Sequence, residues 1–389
     1  MNKWPMPDKN RRRLFNLLLS FFKGELKEDF FHDSPYRKFY RKIYFETFKH
    51  LGFIQYILTS YLKKETPIES IAALTLGTAQ ILFLSDIPEY AAVNESVNLV
   101  KGKQKSLVNA VLRRIASNKE AILKQYSILY DFPEYFIDRW KNKFNNQEDF
   151  EKFLKSIHEK PEYYLLEVDT LKPTPYFEDF DKKRYYPMDI NSQRIPLLYE
   201  VKNPQKILDC CAAPGGKTII LSKKYPESKI TAMDKSRERL ILLKNNIKNF
   251  SLENVTPILA DFLDYKFNEK FDFILLDAPC TSLGTIRKHP EVVWLKNDKD
   301  INKMSKIQKR FLDKALSLLN NNGILIYSVC SLEKEEGINN INYIINKYKN
   351  VKLLKPTIPL NSEEKDFFYT PFHLSKGDGF FAAVLTKTE

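Results

Sequence analysis

The stretch Ile207-Leu208-Asp209-Cys210-Cys211-Ala212-Ala213-Pro214-Gly215-Gly216-Lys217-Thr218 constrains the fold more than any other. A short apolar run breaks into Pro214-Gly215-Gly216 and continues into a segment compatible with a helix. Strand, glycine turn and helix start, in that order, form a corner that binds nucleotides. Glycines without Cβ atoms let a ligand approach the backbone, and the free N–H groups of a helix start point at a polar or anionic group. Two common forms of this corner fail on spacing. A phosphate loop ending at Gly216-Lys217-Thr218 would need its first glycine where Cys211 stands, and no G-x-G-x-x-G pattern is present. Two readings remain. One is a Rossmann-like sheet holding a nucleoside-type ligand without a phosphate chain, with S-adenosylmethionine the leading candidate; the other is a tight turn with a purely structural role.

A chain of 389 residues is long enough for two or three domains with ordinary cores, and 43% hydrophobic with 13% aromatic residues excludes general disorder. Its 62 basic against 49 acidic residues leave a net charge of +13. That balance favours a polyanionic partner, usually nucleic acid, although lysine-rich surfaces also serve solubility. No two of the four cysteines, Cys210, Cys211, Cys280 and Cys330, have C-x-x-C spacing, which argues against a zinc site or a disulfide framework and for a reduced, cytoplasmic setting. No segment reaches the ~20 apolar residues needed to span a bilayer. The nearest, Ile71 to Leu84, is interrupted by Gly77 and Gln80 and reads as a buried core helix. Arg11-Arg12-Arg13 followed by Leu14 to Phe22 mimics a signal peptide but lacks a small-residue cleavage site, so an amphipathic helix is expected there.

Residues 1–160 carry helical periodicity throughout. Tyr36 to Lys63 has apolar residues at helical spacing, and Thr66-Pro67-Ile68-Glu69 reads as a capping box with proline at the first helical position. Leu107, Val108, Val111, Leu112 and Ile115 form one stripe, with Arg113 and Arg114 on the other face. Residues 161–195 form a linker with a small β element: Tyr163 to Val168 is a candidate strand, Pro173, Pro175 and Pro187 punctuate an acidic and aromatic stretch after it, and Asn191 or Ser192 is the expected N-cap of the next helix. From 196 to 389 strand-like runs at 206–210, 229–233, 255–259, 271–276 and 323–329 alternate with helix-capable segments such as 236–249 and 299–319. That alternation predicts a doubly wound, mostly parallel sheet, closed by an antiparallel edge strand at 379–385. The fold class is therefore multidomain α plus α/β.

Ligands of such sheets sit outside the carboxyl ends of the strands, so the polar residues there are the ones to weigh. Asp234 closes the second strand, ~20 residues after the glycine turn, where a carboxylate accepts from ribose hydroxyls. Asp261 closes the third, placed to accept from an adenine amino group beside Phe262. Either aspartate alone would more often be a helix N-cap. The fourth strand ends in Asp277-Ala278-Pro279-Cys280 and the fifth in Ser328-Val329-Cys330-Ser331. If these strands are neighbours, two thiols and a carboxylate converge beside a methyl donor. Thiols suit methylation of cytosine C5, a poor nucleophile whose proton no base usefully removes directly. A thiolate adding to C6 makes C5 an enamine carbon that can attack a methyl sulfonium, and a second base then removes the C5 proton. A lone cysteine on a strand is by default a small buried apolar residue, and Cys210 is read that way.

Two resemblances join these readings. Ala92-Val93-Asn94-Glu95-Ser96-Val97 and Leu107 to Ile115 resemble the signatures of the NusB family of RNA-binding helical domains. Asp209 to Thr218, Asp277 to Cys280, Gly284-Thr285-Ile286-Arg287-Lys288-His289-Pro290-Glu291 with Trp294, and Tyr327 to Ser331 are similar to successive motifs of the RNA cytosine-C5 methyltransferases of the RsmB/NSUN superfamily. The helical domain in front is similar to the RsmB (Sun/Fmu) branch, which modifies a cytosine in small-subunit ribosomal RNA. The resemblance implies S-adenosylmethionine as cofactor and no metal. It implies a donor and active-site wall of Cys211, Ala212, Ala213, Pro214, Gly215, Gly216, Lys217, Asp234, Asp261 and Asp277. It makes Cys330 the nucleophile, Cys280 the group assisting proton removal and release, and Asp277 a contact to the cytosine edge. Lys217 would hold an aspartate or meet the donor's carboxylate, and Arg287, Lys288 and His289 would meet RNA phosphate or shape the pocket. The implied partner is 16S ribosomal RNA or an assembling small-subunit particle, with no membrane and a monomeric chain. Transfer RNA is the alternative substrate, and a non-catalytic assembly or antitermination factor the alternative class; the latter would predict loss of a thiol, yet both are present. The family's ferredoxin-like middle element is expected to be shortened here, since only 161–195 is available for it.

Overall fold

The computed structural model describes residues 8–25, 36–63, 65–357 and 366–389. The chain divides into two compact units, one of Met1–Lys155 with His289–Leu295, the other of Ser156–Lys288 with Lys296–Glu389.

The first unit is helical. It begins with α1 (Asp8–Phe22), α2 (Arg37–Lys49), α3 (Leu51–Thr59), α4 (Ile68–Phe83), α5 (Glu89–Asn98) and α6 (Gln104–Ser117). The basic start of the chain does lead into an amphipathic helix: Leu14, Phe15, Leu17 and Leu18 of α1 are buried. The run from Tyr36 to Lys63 is two helices, parted at His50. At the centre α4 is buried on all sides from Ala72 to Leu82. Its start differs from the expected capping box. Pro67 occupies the cap position with extended backbone, no side chain caps the helix, and the Thr66 hydroxyl donates to the Lys63 carbonyl at 2.8 Å. A threonine that finds a carbonyl three residues back has no reason to reach forward into the helix. On α6 the stripe Val108, Val111, Leu112 and Ile115 is buried while Arg113 and Arg114 are exposed. Three further helices, α7 (Lys119–Leu123), α8 (Glu134–Lys141) and α9 (Gln147–His158), come next.

The second unit opens with a three-stranded antiparallel sheet of β1 (Tyr164–Glu167), β2 (Lys172–Pro175) and β3 (Tyr185–Pro187), in the order β2-β1-β3. The prolines do not abolish strand structure: Pro173 and Pro175 lie on edge strand β2, where a missing N–H costs no ladder bond. Helix α10 (Ile190–Arg194) is capped by Asp189 rather than by Asn191 or Ser192. The Asp189 Oδ1 accepts from the backbone N–H of both residues, at 2.9 and 3.2 Å. One carboxylate thus satisfies two orphan donors at once.

The large sheet contains β4 (Lys206–Asp209), β5 (Lys229–Asp234), β6 (Val255–Leu259), β7 (Phe271–Asp277), β8 (Leu319–Val329), β9 (Val351–Leu354), β10 (Phe368–Tyr369) and β11 (Phe381–Lys387). Its order is β10-β11-β8-β7-β4-β5-β6, with β9 also on β11. Strands β6, β5, β4, β7 and β8 are parallel. Alternation along them builds two cores. Ile207, Phe273, Leu275 and Ile326 face one side with Ile219 of α11 (Gly216–Lys224) and Leu243 of α12 (Arg237–Asn249). Leu208, Ile274, Leu276 and Leu325 face the other with Leu312 of α13 (Asp298–Leu318) and Ile344 of α14 (Ile338–Lys347). The final strand is antiparallel to β8, as expected, but it is not an edge: β9 and β10 cover its other side. Among the described residues no helix is long and apolar enough to cross a membrane.

The carboxyl ends of β7 and β8 are joined by a close crossing of backbones. The Gly284 N–H donates to the Cys330 carbonyl at 2.9 Å, and the Gly379 N–H donates to the Gly284 carbonyl at 2.7 Å. A Cβ on Gly284 would stand 1.9 Å from the Gly379 carbonyl oxygen. Because that neighbour is backbone, it cannot swing aside. Gly284→Ala is expected to lower stability by about 2–3 kcal/mol, the usual cost of overpacking, seen as a lower urea midpoint with unchanged m-value. An unchanged midpoint would show that the crossing is looser than this.

Candidate active site

The glycine corner follows β4 as its sequence requires. Gly215 occupies the cap position of α11 with φ of 112°, a left-handed conformation that favours glycine, and a Cβ there would meet Leu243 Cδ1 at 2.8 Å. The turn opens on a cavity of about 160 Å³. Its wall contains Asp209, Cys211, Ala212, Ala213, Pro214, Gly216, Lys217 and Asp277, together with Tyr186, Pro187, Met188 and Ser192. Gly215, Asp234 and Asp261 do not line it. Asp234 is buried and instead braces the turn, accepting from the N–H of Ala213 at 3.3 Å and of Ser236 at 2.9 Å. Asp261 accepts from the Leu263 N–H at 2.9 Å in the turn after β6. Neither aspartate caps α12, which Ser236 does.

Lys217, on the first turn of α11, reaches across to the end of β7, where its Nζ donates to Asp277 Oδ2 at 2.6 Å. Burial alone would pull the Lys217 ammonium down, but the charge of Asp277 and its hydrogen bond reverse this and raise it. The other oxygen of Asp277 accepts from the Ser328 hydroxyl at 2.6 Å. Of the two roles open to Lys217 in the sequence, the structure shows the bond to an aspartate.

Strands β7 and β8 are parallel neighbours with Asp277 opposite Ser328, so the segments beyond them emerge side by side. The sulfurs of Cys280 and Cys330 lie 3.2 Å apart. Ser282 Oγ stands 3.6 Å from the Cys330 sulfur. The hydrogen bond with Cys330 first, and burial second, push the Cys280 thiol well up. Cys210 faces the apolar core between the sheet and α13, in line with a packing role.

The loop after Cys280 corrects one expectation. Arg287 is buried and its guanidinium donates to the carbonyls of Ser156 (3.0 Å), Phe372 (2.6 Å), Ser375 (2.9 Å) and Gly377 (3.4 Å), so it is not offered to RNA phosphate. Lys288 is held between Asp189 (2.5 Å) and Asp378 (3.2 Å). Five donors in a rigid fork suit a buried cluster of carbonyls as well as they suit phosphate, and sequence does not separate the two. His289 pairs with Glu291 at 3.2 Å within the helical unit, where Trp294 Nε1 donates to the Phe48 carbonyl at 3.3 Å.

Comparison with known proteins agrees with this architecture. A family described as 16S rRNA methyltransferase RsmB/F matches residues 196–386, and the NusB family matches residues 5–117. Ribosomal RNA small subunit methyltransferase B of Photorhabdus laumondii is 30% identical over 358 residues, covering 81% of each chain. The chain belongs to the RsmB/F family of 16S rRNA methyltransferases. The solved structures that resemble this family member include two that share its fold. That of NSun6 from Pyrococcus horikoshii with SFG is 32% identical over 56% of this chain and 57% of its own, with a TM-score of 0.51. The crystal structure of PH0851, 22% identical, covers 99% of this chain and 100% of its own with a TM-score of 0.76, which establishes a shared fold. The catalytic unit is an S-adenosylmethionine-dependent methyltransferase fold.

The sequence reasoning passed over five lining residues of this RsmB/F cavity. Tyr186, Pro187, Met188 and Ser192 come from the linker, whose helix entry Met188 to Gln193 departs from the related family's Gln-Asp-x-x-Ser-Gln form; only the return of β3 beside the glycine corner brings them there. Asp209 did carry a signal, a carboxylate ending the first strand immediately before the turn. It is buried, the Thr218 hydroxyl donates to Oδ2 at 2.7 Å, and Oδ1 has no hydrogen-bond partner. Burial pushes its carboxyl from 3.8 to about 7. Between about pH 4 and pH 7 the ligand-free native state therefore holds a proton that the unfolded chain has released, and stability falls as pH rises. Asp209→Asn is expected to remove up to about 1.4 kcal/mol per pH unit of that slope across this window, measured by denaturant unfolding at several pH values. A slope equal to wild type would show that Asp209 titrates normally.

Proposed function

We propose that this chain transfers a methyl group from S-adenosylmethionine to C5 of a cytosine in small-subunit ribosomal RNA, through a covalent bond between Cys330 and C6. The observation that carries this reading is the pair of sulfurs 3.2 Å apart at the ends of adjacent parallel strands, beside the Lys217–Asp277 pair. A methyltransferase acting on an exocyclic amine has no use for two thiols in contact.

The residues of the glycine corner suit the donor. Asp209 Oδ1, buried and without a partner on the cavity wall, offers a carboxylate oxygen to an ammonium group, and the N-terminus of α11 faces the same space. Asp234, Asp261 and the segment from Cys211 to Lys217 complete the donor site in this reading. When bound, the donor supplies an electrophilic methyl group. The protein's own residues do the rest. Asp277, held by Lys217 and Ser328, meets the cytosine edge and steadies charge that develops near N3. The Cys330 thiolate bonds to C6, giving C5 the electron density to take the methyl group as the methyl–sulfonium bond breaks and the neutral thioether, S-adenosylhomocysteine, is left. The C5 proton then passes to a base assisted by Cys280, the C6–sulfur bond breaks, and Cys330 leaves as thiolate. The target base must be unstacked to enter, as bases within A-form duplexes are out of reach. Exposed Arg113 and Arg114 of the helical unit would track the RNA backbone.

The test is methyl transfer from labelled donor to unmodified ribosomal and transfer RNA by wild type, Cys330→Ala and Cys280→Ala. Wild type is expected to label cytosine C5 in small-subunit RNA. Cys330→Ala should lose at least about 10³-fold in rate, and Cys280→Ala should accumulate a protein–RNA adduct that survives denaturation. Activity retained by Cys330→Ala would sink the two-thiol mechanism; labelling of transfer RNA alone would move the substrate.

A further inference from the structure

Parallel pairing alone does not explain how the two sulfurs stay in contact. The last ladder bond between the two strands runs from the Ala278 N–H to the Ser328 carbonyl, at 2.8 Å, with Cys280 and Cys330 two residues beyond it; the next backbone bond, from the Gly284 N–H to the Cys330 carbonyl, holds the Cys330 side but comes only four residues after Cys280. Something past the strands must fasten both segments.

Glu336 occupies that position. It is fully buried, and among the described residues no Lys, Arg or His pairs with it. A buried carboxylate without a cation is costly unless hydrogen bonds surround it. Here four donors do. Oε1 accepts from the Thr281 N–H at 2.9 Å and from Gln308 Nε2 at 3.0 Å. Oε2 accepts from the hydroxyls of Thr281 and of Ser331, the latter at 2.6 Å. Thr281 follows Cys280 and Ser331 follows Cys330, so one carboxylate grips the chain one residue beyond each thiol. Gln308 in turn donates to the Pro279 carbonyl at 2.9 Å, on the other side of Cys280. The glutamate is itself anchored, since the Tyr327 hydroxyl donates to its carbonyl and Asn340 Nδ2 donates to the Tyr327 oxygen at 3.2 Å.

We propose that Glu336 is a positioning residue for the methyl transfer: its carboxylate clasps the Cys280 and Cys330 loops together and so fixes the distance between the two sulfurs. This inference rests on the two-thiol reading of the site. It assigns Glu336 no contact with substrate or donor. Its action passes through Thr281 and Ser331.

Phenylarsine oxide reads the sulfur geometry without any turnover, because one arsenic atom exchanges its oxygen for two neighbouring thiol sulfurs and releases water. The full-length wild type should be captured, and Cys280→Ala, which removes one of the two sulfurs, should not. Glu336→Ala is expected to bind the arsenical about tenfold more weakly and to turn over about a hundredfold more slowly, with KM for the donor changed by less than about twofold. Glu336→Gln should restore both to within about fivefold, since its amide oxygen keeps the Thr281 N–H and Gln308 while the two hydroxyls rotate to accept from its nitrogen. A glutamate that merely supports the fold would lower the thermal midpoint and leave capture below that midpoint unchanged. A folded Glu336→Ala protein that captures the arsenical as wild type does overturns the proposal. Should that variant fail to fold, Ser331→Ala decides: capture weakened about threefold supports the clasp, and unchanged capture overturns it. If Cys330→Ala still methylates RNA, the two-thiol mechanism fails, and the capture measurements still decide what Glu336 does to the sulfurs.

Discussion

Parallel strands laid side by side must release their chains at the same end of a sheet, and the pairing of β7 with β8 puts that rule to chemical use. With Asp277 opposite Ser328, the Ser328 hydroxyl meets one oxygen of Asp277 and leaves the other for Lys217. A slip of one residue would turn every side chain of one strand to the opposite face, burying Ser328 against the wrong core and parting the sulfurs. The register is guarded by what lies on each face. Leu275 and Ile326 pack against one helical layer, and Ile274, Leu276 and Leu325 against the other, so a slip would exchange two filled cores at once. The crossover that permits this parallel pairing is the 21-residue α13, long enough to return the chain to the starting end of the sheet.

Local signals in the sequence identified the strands of that sheet well, because buried parallel strands are short apolar runs bounded by polar residues. Val255–Leu259 agrees at both ends and the other five strands expected in that sheet differ by a few residues at most, while the short β9 and β10 carry no signal that the sequence analysis used. The identity of neighbours was not local. That β7 lies beside β8, and that β11 is covered by β9 and β10, depends on strand order, which no window of sequence contains. The same limit governed polar side chains. Asp189 was passed over as a cap in favour of Asn191 and Ser192, residues it in fact caps, because all three are good acceptors within three positions. Phosphate contact and a structural place for Arg287 could not be told apart because a guanidinium's partners are not written in its neighbours; they come from Ser156 and from Phe372 to Gly377, far along the chain. Met188 and Tyr186 reach the cavity through a linker whose composition suggested only punctuation.

Among the described residues Asp209 and Glu336, two buried carboxylates near the site, pair with no Lys, Arg or His, and the contrast between them separates binding from support. Glu336 has four donors around its two oxygens, as many as a carboxylate readily accepts. Nothing further would be gained by bringing a ligand to it, and its position behind the sulfurs offers none. Asp209 has Thr218 on one oxygen, while the other has no hydrogen bond of good geometry among the described residues, the backbone N–H of Cys211 lying near enough only to offset part of the effect of burial. Burial there is answered by a carboxyl that titrates near 7 in place of a completed set of hydrogen bonds. A folded chain that needed Asp209 only for its own stability would do better with asparagine or with a second donor. An incompletely satisfied acid at the mouth of a glycine turn is instead the arrangement expected of a group whose remaining partner arrives with the ligand. In the proposed reading Asp209 lies on the donor's side and Glu336 on the sulfurs' side, so the hydrogen-bond set left short at one and filled at the other separates a group that would bind from a group that would position.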